Sequence, residues 1–280
     1  PVSIALERSG GQVAVCDTFI HGTPERAQAD CYYVERIIKT MLWLYGGFRA
    51  YISGDREICA KMQQIYCPGG QQAFDFDYMA NVFEHPFEVV YCDQIPQEAG
   101  ASQAVGRHLA GCRVGFDAGG SDRKVSAVID GEPVYSEEVV WFPKITEDPD
   151  YHYDGIVSAL KSAAEHMPRV DAVGVSSAGV YIDNRTMNAS LFLQVPKDAF
   201  DAKVKDIYIR AIRDTFGDVP YAVCNDGDVS ALAGAMAALD DDSFIASTRE
   251  GIREGREYLT RELTAMGWKG WESQTNFLYA

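Results

Sequence analysis

Basic residues are scarce in this chain: 25 Lys and Arg stand against 41 Asp and Glu, a formal net charge of −16. An acidic excess of that size disfavours nonspecific binding to nucleic acid or to an anionic membrane surface. Long apolar runs are missing too, and none approaches the ~20 residues needed to span a bilayer. The opening residues, PVSIALERSGG, lack the basic start and the long apolar stretch of a signal peptide. Cysteines stand at 16, 31, 59, 67, 92, 112 and 224, with no CxxC among them. That spacing removes the usual zinc and dithiol-redox signatures, and the odd count suits a reduced, cytoplasmic protein. The five histidines, at 21, 85, 108, 152 and 166, form no ligand spacing; His152 and His166 read as surface residues on or beside a helix. Internal repeats and low-complexity tracts are absent as well.

What remains is an ordinary globular composition, 47% apolar over 280 residues, enough for one large domain or two smaller ones. Three sections separate. In residues 1–110 the pattern predicts strands over 12–20, 48–53 and 87–92. It predicts helices over 27–45, 56–66 and 73–83, and a linker over 93–109. Val34, Ile38, Met41 and Leu42 recur at helical spacing, and Gly46–Gly47 supply a stop. In residues 111–236, CRVGFD, KVSAVID and PVYSEEVVWF read as three strands, the last two joined at the hairpin signal Asp130-Gly131. A helix over 154–167 leads to a strand in DAVGVSSAG. A helix over 201–215, a strand over 219–224 and a helix in DVSALAGAMAAL follow. Three antiparallel strands, a helical crossover and a further strand open a ribonuclease-H-like unit. In residues 237–280 a long charged helix precedes a strand, WESQTNFLYA.

Two acidic turns carry the chemistry. Asp117, Gly119, Gly120 and Ser121 lie between the first two of these strands. Glycine-turn amides form an anion nest, and a carboxylate beside them can hold Mg²⁺ directly or through water. The plain alternative is a hairpin turn that uses Asp and Gly for backbone reasons. Asn225-Asp226-Gly227-Asp228 follows another strand. Asp226 suits a general base at a sheet edge, and Asp228 suits a helix N-cap. Ser177 and Gly179, in SSAGVYIDN, either let a ligand approach or let strand and helix pack closely.

With those residues in place, 111–236 resembles the ROK family of sugar kinases and repressors, within the actin-like ATPase superfamily. GFDAGGSDRKVSAVID is similar to the superfamily's first phosphate motif. AVGVSSAGVYIDN looks like the family's Gly-x-x-x-Pro-Gly-x-Val-Asp segment, with Ala178 in place of proline. VCNDGDVSALAG looks like its Asn-Asp-x-Asn-x-x-Ala-x-Gly, with Asp228 replacing the second asparagine. The resemblance implies an α/β fold: a ribonuclease-H-like half-domain with an additional N-terminal α/β unit. It implies Mg and ATP as cofactors and a small-molecule sugar as partner. Asp226 would be the base that deprotonates the sugar hydroxyl. Asn225, Ser177 and Gly179 would lie against the sugar, Asp117 would position magnesium, and Gly119 and Gly120 would face phosphate.

The pattern also departs from the family. The turn after Gly120 is one residue longer than usual, which leaves open whether Ser121 or Lys124 meets phosphate. No cluster of cysteines marks the family's zinc site. No Gly-Thr-Gly-rich second phosphate loop follows the helix at 229–239. Instead, 237–280 resembles part of the small domain of histidinol-phosphate-type aminotransferases, with Ser273, Asn276 and Phe277 on its Ser-x-x-Asn-Phe pattern. That fragment has no Schiff-base lysine motif and no pyridoxal phosphate (PLP) site. The expectation is a chimera joined near 234–240: a truncated sugar kinase-like protein with little or no turnover. A non-catalytic sugar-sensing or interaction module and an inactive fusion are the alternatives. A homo-oligomer formed through an exposed sheet edge is a further expectation.

Overall fold

The computed structural model describes residues 1–100, 110–240 and 242–268. The expected C-terminal strand, with Ser273, Asn276 and Phe277, lies outside them, as do residues 101–109 of the expected linker. The chain forms two compact units, Pro1–Asn225 and Asp226–Ala280.

The first unit contains two sheets. Its N-terminal sheet is built from β1 (Val2–Glu7), β2 (Val13–Thr18), β3 (Arg49–Ser53) and β4 (Glu88–Tyr91), in the order β2-β1-β3-β4. Three helices accompany it: α1 (Ala27–Tyr45), α2 (Arg56–Ile65) and α3 (Ala73–Phe83). β1 is central and pairs antiparallel with both β2 and β3, while β3 and β4 run parallel. Val34, Ile38, Met41 and Leu42 of α1 pack on Ile4, Leu6 and Ile52. Burying each such side chain contributes about 1.5–3 kcal/mol. Asp55 caps α2, its carboxylate accepting from the Ile58 amide at 2.9 Å.

The second sheet holds β5 (Cys112–Ala118), β6 (Asp122–Ile129), β7 (Glu132–Val140), β8 (Ala172–Ser177) and β11 (Tyr221–Asn225). A small separate hairpin, β9 (Val180–Ile182) with β10 (Arg185–Asn188), lies between β8 and β11 in the chain. The five strands are ordered β11-β8-β5-β6-β7. β5, β6 and β7 are antiparallel neighbours, whereas β8 and β11 run parallel to β5. This is the ribonuclease-H-like arrangement: a three-strand meander, then crossovers that add parallel strands on its other side. The helices of this region are α4 (Pro149–Ala164), α5 (Lys197–Ala199) and α6 (Ile207–Phe216). α4 and α6 share a core with the inward side chains Val114, Phe116, Ala118, Val125 and Val175. Strict alternation along β5 therefore turns Arg113, Gly115 and Asp117 to the opposite face.

The two sheets are joined by side chains. Glu84 pairs with Arg185 and Lys205, and Asn188 donates to the Tyr78 hydroxyl at 3.0 Å. The outer strand β7 carries Glu132, Pro133, Glu137 and Glu138. Proline and like charges on an edge strand disfavour added strand pairing there. In the second unit, α7 (Asp226–Asp240) is followed by α8 (Asp242–Ala265). None of the described helices is long and apolar enough to cross a membrane.

Candidate functional site

β5, β8 and β11 end level with one another. Ala118 pairs with Ser177, and Ser177 pairs with Asn225, so three parallel strands present their carboxyl ends along one line. In open α/β sheets that line is where ligands gather. Asp117, Gly119, Gly120, Ser177, Gly179 and Asn225 are all brought to it.

Asp117 is half-buried, and among the described residues its carboxylate has no hydrogen bond or ion pair. A hydrated magnesium ion typically leans on one or two carboxylates and on substrate phosphates, and this residue fits that role. Among the described residues no three or more His, Cys, Asp or Glu side chains are placed to hold a metal ion together.

Gly119 is required by space rather than by backbone angle, whereas at Gly120 an added Cβ would meet only the movable end of an exposed lysine. A Cβ on Gly119 would lie 2.6 Å from the Asp122 carbonyl oxygen, and one on Gly120 would lie 2.5 Å from Lys144 Nζ. Among the described residues, neither glycine amide donates a hydrogen bond. Ser121 and Lys124 are engaged otherwise. Both meet Asp122: the Ser121 hydroxyl donates to its carboxylate at 3.0 Å and Lys124 Nζ at 2.8 Å. Lys124 holds the Asp122 carboxyl below its ordinary value, and Asp122 in turn raises Lys124. The longer turn thus carries its own counter-ion.

Ser177 is fully enclosed and accepts a hydrogen bond from Tyr208 at 3.0 Å, while burial pushes the Tyr208 phenol up. Gly179 sits against β10, since a Cβ there would be 2.6 Å from the Asn188 oxygen. Its carbonyl accepts from Asn225 Nδ2 at 2.8 Å. These contacts make Ser177 and Gly179 the scaffold of the edge. Asp226 follows Asn225 in the chain as the first residue of α7, and its carboxylate accepts from the Gly227 amide at 2.9 Å. The helix starts two residues before Asp228, which lies in its first turn rather than at its cap. A carboxylate there still favours the helix dipole.

No protein-family model matches the chain. A 72-residue stretch is 32% identical to histidinol-phosphate aminotransferase 1 of Bradyrhizobium diazoefficiens, 26% of this chain and 19% of that protein. Among solved structures, the chain resembles the ROK hexokinase of Thermus thermophilus at 18% identity and a TM-score of 0.32. That likeness covers 44% of this chain and 36% of the hexokinase. It also resembles the inorganic polyphosphate/ATP-glucomannokinase of Arthrobacter sp. strain KM, at 21% identity and a TM-score of 0.35, covering 45% of this chain and 48% of that one. The chain is similar to ROK-family sugar kinases. It spans less than half the length of either kinase and about a fifth of the aminotransferase. Both similarities are the ones its motifs suggest; the fold itself rests on the strand order above.

Three residues at this edge have no signature in the sequence. Trp141 lies just beyond β7. Its indole donates to the Gly119 oxygen at 2.8 Å and its amide to the Ser121 oxygen at 3.1 Å. Lys144 belongs to the same strap and lies over Gly120. His152 corrects the expectation of a surface histidine, because it is fully buried. Its Nδ1 faces the Asp148 carbonyl at 3.0 Å, and its Nε2 faces those of Pro143 and Leu191 at 3.0 and 3.2 Å. α4 begins at Pro149, earlier than periodicity suggests, and this places His152 on its inner face. Asp148-Pro149, an N-cap followed by proline at the first helical position, marks the start of α4 in the sequence but says nothing of the burial of His152.

Proposed function

We propose that the five-stranded sheet is the phosphate- and sugar-binding part of a protein with sugar-kinase ancestry. The observation that carries this reading is the level line of strand ends, Ala118, Ser177 and Asn225, with an unpartnered carboxylate at Asp117 beside a glycine turn. In this reading Gly119 and Gly120 turn free amides towards a phosphate, and their missing side chains let it come close. Asp117 orients the hydration shell of magnesium, and magnesium, when bound, neutralises charge on the phosphates. Asn225 lies against the sugar, and Asp226, next to it in the chain, takes the proton from the attacking hydroxyl. Ser121 acts by orienting Asp122. Residues 1–110, 111–236 and 237–280 are the proposed modules, the last of aminotransferase descent and the junction a fusion.

Phosphoryl transfer needs charge neutralisation around the whole nucleotide, and no second glycine-rich phosphate loop follows α7 in the sequence. Binding with slow turnover is therefore the expected behaviour. Magnesium-ATP titrated into the chain by calorimetry, followed by a turnover assay over a panel of hexoses, tests this. Binding that Asp117→Asn weakens supports the reading. Absence of both nucleotide and sugar binding would remove it. Rapid turnover abolished by Asp226→Ala would overturn the expectation of slow chemistry.

A further inference from the structure

We propose that Lys144, and not Lys124, is the cation that meets a phosphoanhydride chain at the Gly119–Gly120 turn. This inference rests on the phosphate-binding reading above and names the residue that supplies its positive charge. Motif spacing favours Lys124, which leaves the turn on β6. Its ammonium is already satisfied by Asp122 at 2.8 Å. Moving it to a phosphate means breaking that pair and setting the Asp122 carboxylate beside the incoming anion. Lys144 carries no such cost. Among the described residues its ammonium has no ion pair or hydrogen bond, and its side chain is exposed to solvent. It lies directly against Gly120, with Nζ 2.5 Å from where a Cβ would stand.

The backbone beneath Lys144 is anchored on both sides. Trp141 fastens the strap to the turn through the Gly119 and Ser121 oxygens. Pro143 is buried, and its carbonyl faces His152 Nε2 at 3.0 Å. Thr146 closes the strap, its hydroxyl donating to the Phe142 oxygen at 2.6 Å. Only the lysine side chain is left to order when an anion arrives, which lowers the entropic cost of recruiting it. The turn amides and the Lys144 ammonium together offer an oxyanion two kinds of donor, one fixed and one charged.

The test is calorimetric titration of the full chain with sodium tripolyphosphate and, separately, with magnesium-ATP. Lys144→Met should weaken tripolyphosphate binding about tenfold and flatten its dependence on salt. Asp122→Asn combined with Lys124→Met, which removes the ion pair as a unit and strands no carboxylate, should change it by less than about twofold. Gly120→Ala, which puts a methyl group where Lys144 lies, should give an intermediate loss. Thermal melts of Lys144→Met should match the parent, since the side chain is exposed and unpaired. Equal losses in the Asp122→Asn/Lys124→Met double variant and in Lys144→Met, or no loss in Lys144→Met, would overturn the assignment while leaving phosphate binding intact. If the parent chain binds neither probe, the assignment and the phosphate-binding reading fall together. Loss of magnesium-ATP binding in Lys144→Met with tripolyphosphate binding unchanged would also overturn it, by moving the contact to the nucleoside end.

Discussion

The two sheets of the first unit treat their charged residues in opposite ways. Behind the N-terminal sheet, charge is buried and fully paired. Asp75, completely enclosed, accepts from Lys39 Nζ at 2.7 Å and from the Trp43 indole at 3.2 Å. Gln72 accepts from the same lysine and donates to Glu35 at 2.7 Å, and Glu35 also pairs with Arg36. Every member of that network answers another, as a network with a structural role must. At the carboxyl ends of the second sheet, Asp117 and Lys144 have no hydrogen bond or ion pair among the described residues, and the Gly119 and Gly120 amides donate to none of them. Paired charge holds a fold in one state, whereas charge left unpaired at strand ends is available to a ligand. This contrast is why the proposed ligand site is placed on the second sheet.

Removing a paired charge should therefore damage folding, and removing an unpaired one should damage binding. The largest effect is expected at Asp75. Asp75→Ala leaves the Lys39 ammonium and the Trp43 indole without their acceptor and should destabilise the unit by about 3 kcal/mol, read from the midpoint of a urea melt. A shift of only a few tenths would dissolve the contrast. Asp117→Asn should move the same melt by less than ~0.5 kcal/mol, yet weaken magnesium-ATP binding about tenfold, a loss worth ~1.4 kcal/mol. Trp141→Phe sits between the two classes. It keeps the ring in its pocket but removes the bond to the Gly119 oxygen, which should cost about 1 kcal/mol of stability and loosen tripolyphosphate binding as well.

The smallest effect belongs to the seam between the sheets. Lys205 and Arg185 hold the Glu84 carboxyl below its ordinary value of 4.5. A lowered folded value means that the pair's contribution is complete above pH 4.5 and fades as acid protonates Glu84 through that lower value. The group is partly exposed, so the contribution is under ~1 kcal/mol. Glu84→Gln should flatten the acid limb of a stability–pH curve by that amount and leave neutral binding unchanged. An unaltered acid limb would show that the seam is held by apolar packing instead.

Much of this arrangement was readable from residue order. α1 over 27–45 and α3 over 73–83 match their predicted spans; α1 stops at Gly46, and α3 stops at Glu84, which is left-handed and stands two residues before Pro86. The hairpin at Asp130-Gly131 forms with both residues at positive φ, as that pair favours. β1 was not predicted. Its buried Val2, Ile4 and Leu6 alternate with Ser3, Ala5 and Glu7, a strand pattern only six residues long. The β9–β10 hairpin was also missed, because its turn, Asp183-Asn184, contains no glycine although both residues adopt positive φ. At the site, Asp117, Gly119, Gly120 and Asn225 were legible as motif residues, and the structure places all four at one edge. The burial of Ser177 and His152 was not legible, since each depends on a partner tens of residues away.

The chain's own order of residues determined most element types, the antiparallel meander from Cys112 to Val140, and the two acidic turns. Periodicity and turn propensities are local, so they survive in one dimension. Which lysine serves the glycine turn was decided only in three dimensions. Lys124 is four residues from Gly120 in sequence but is claimed by Asp122, while Lys144 is twenty-four residues away and is carried over Gly120 by the Trp141 strap. A charge becomes available to a ligand only when nothing else in the folded chain neutralises it, and that depends on every neighbour at once.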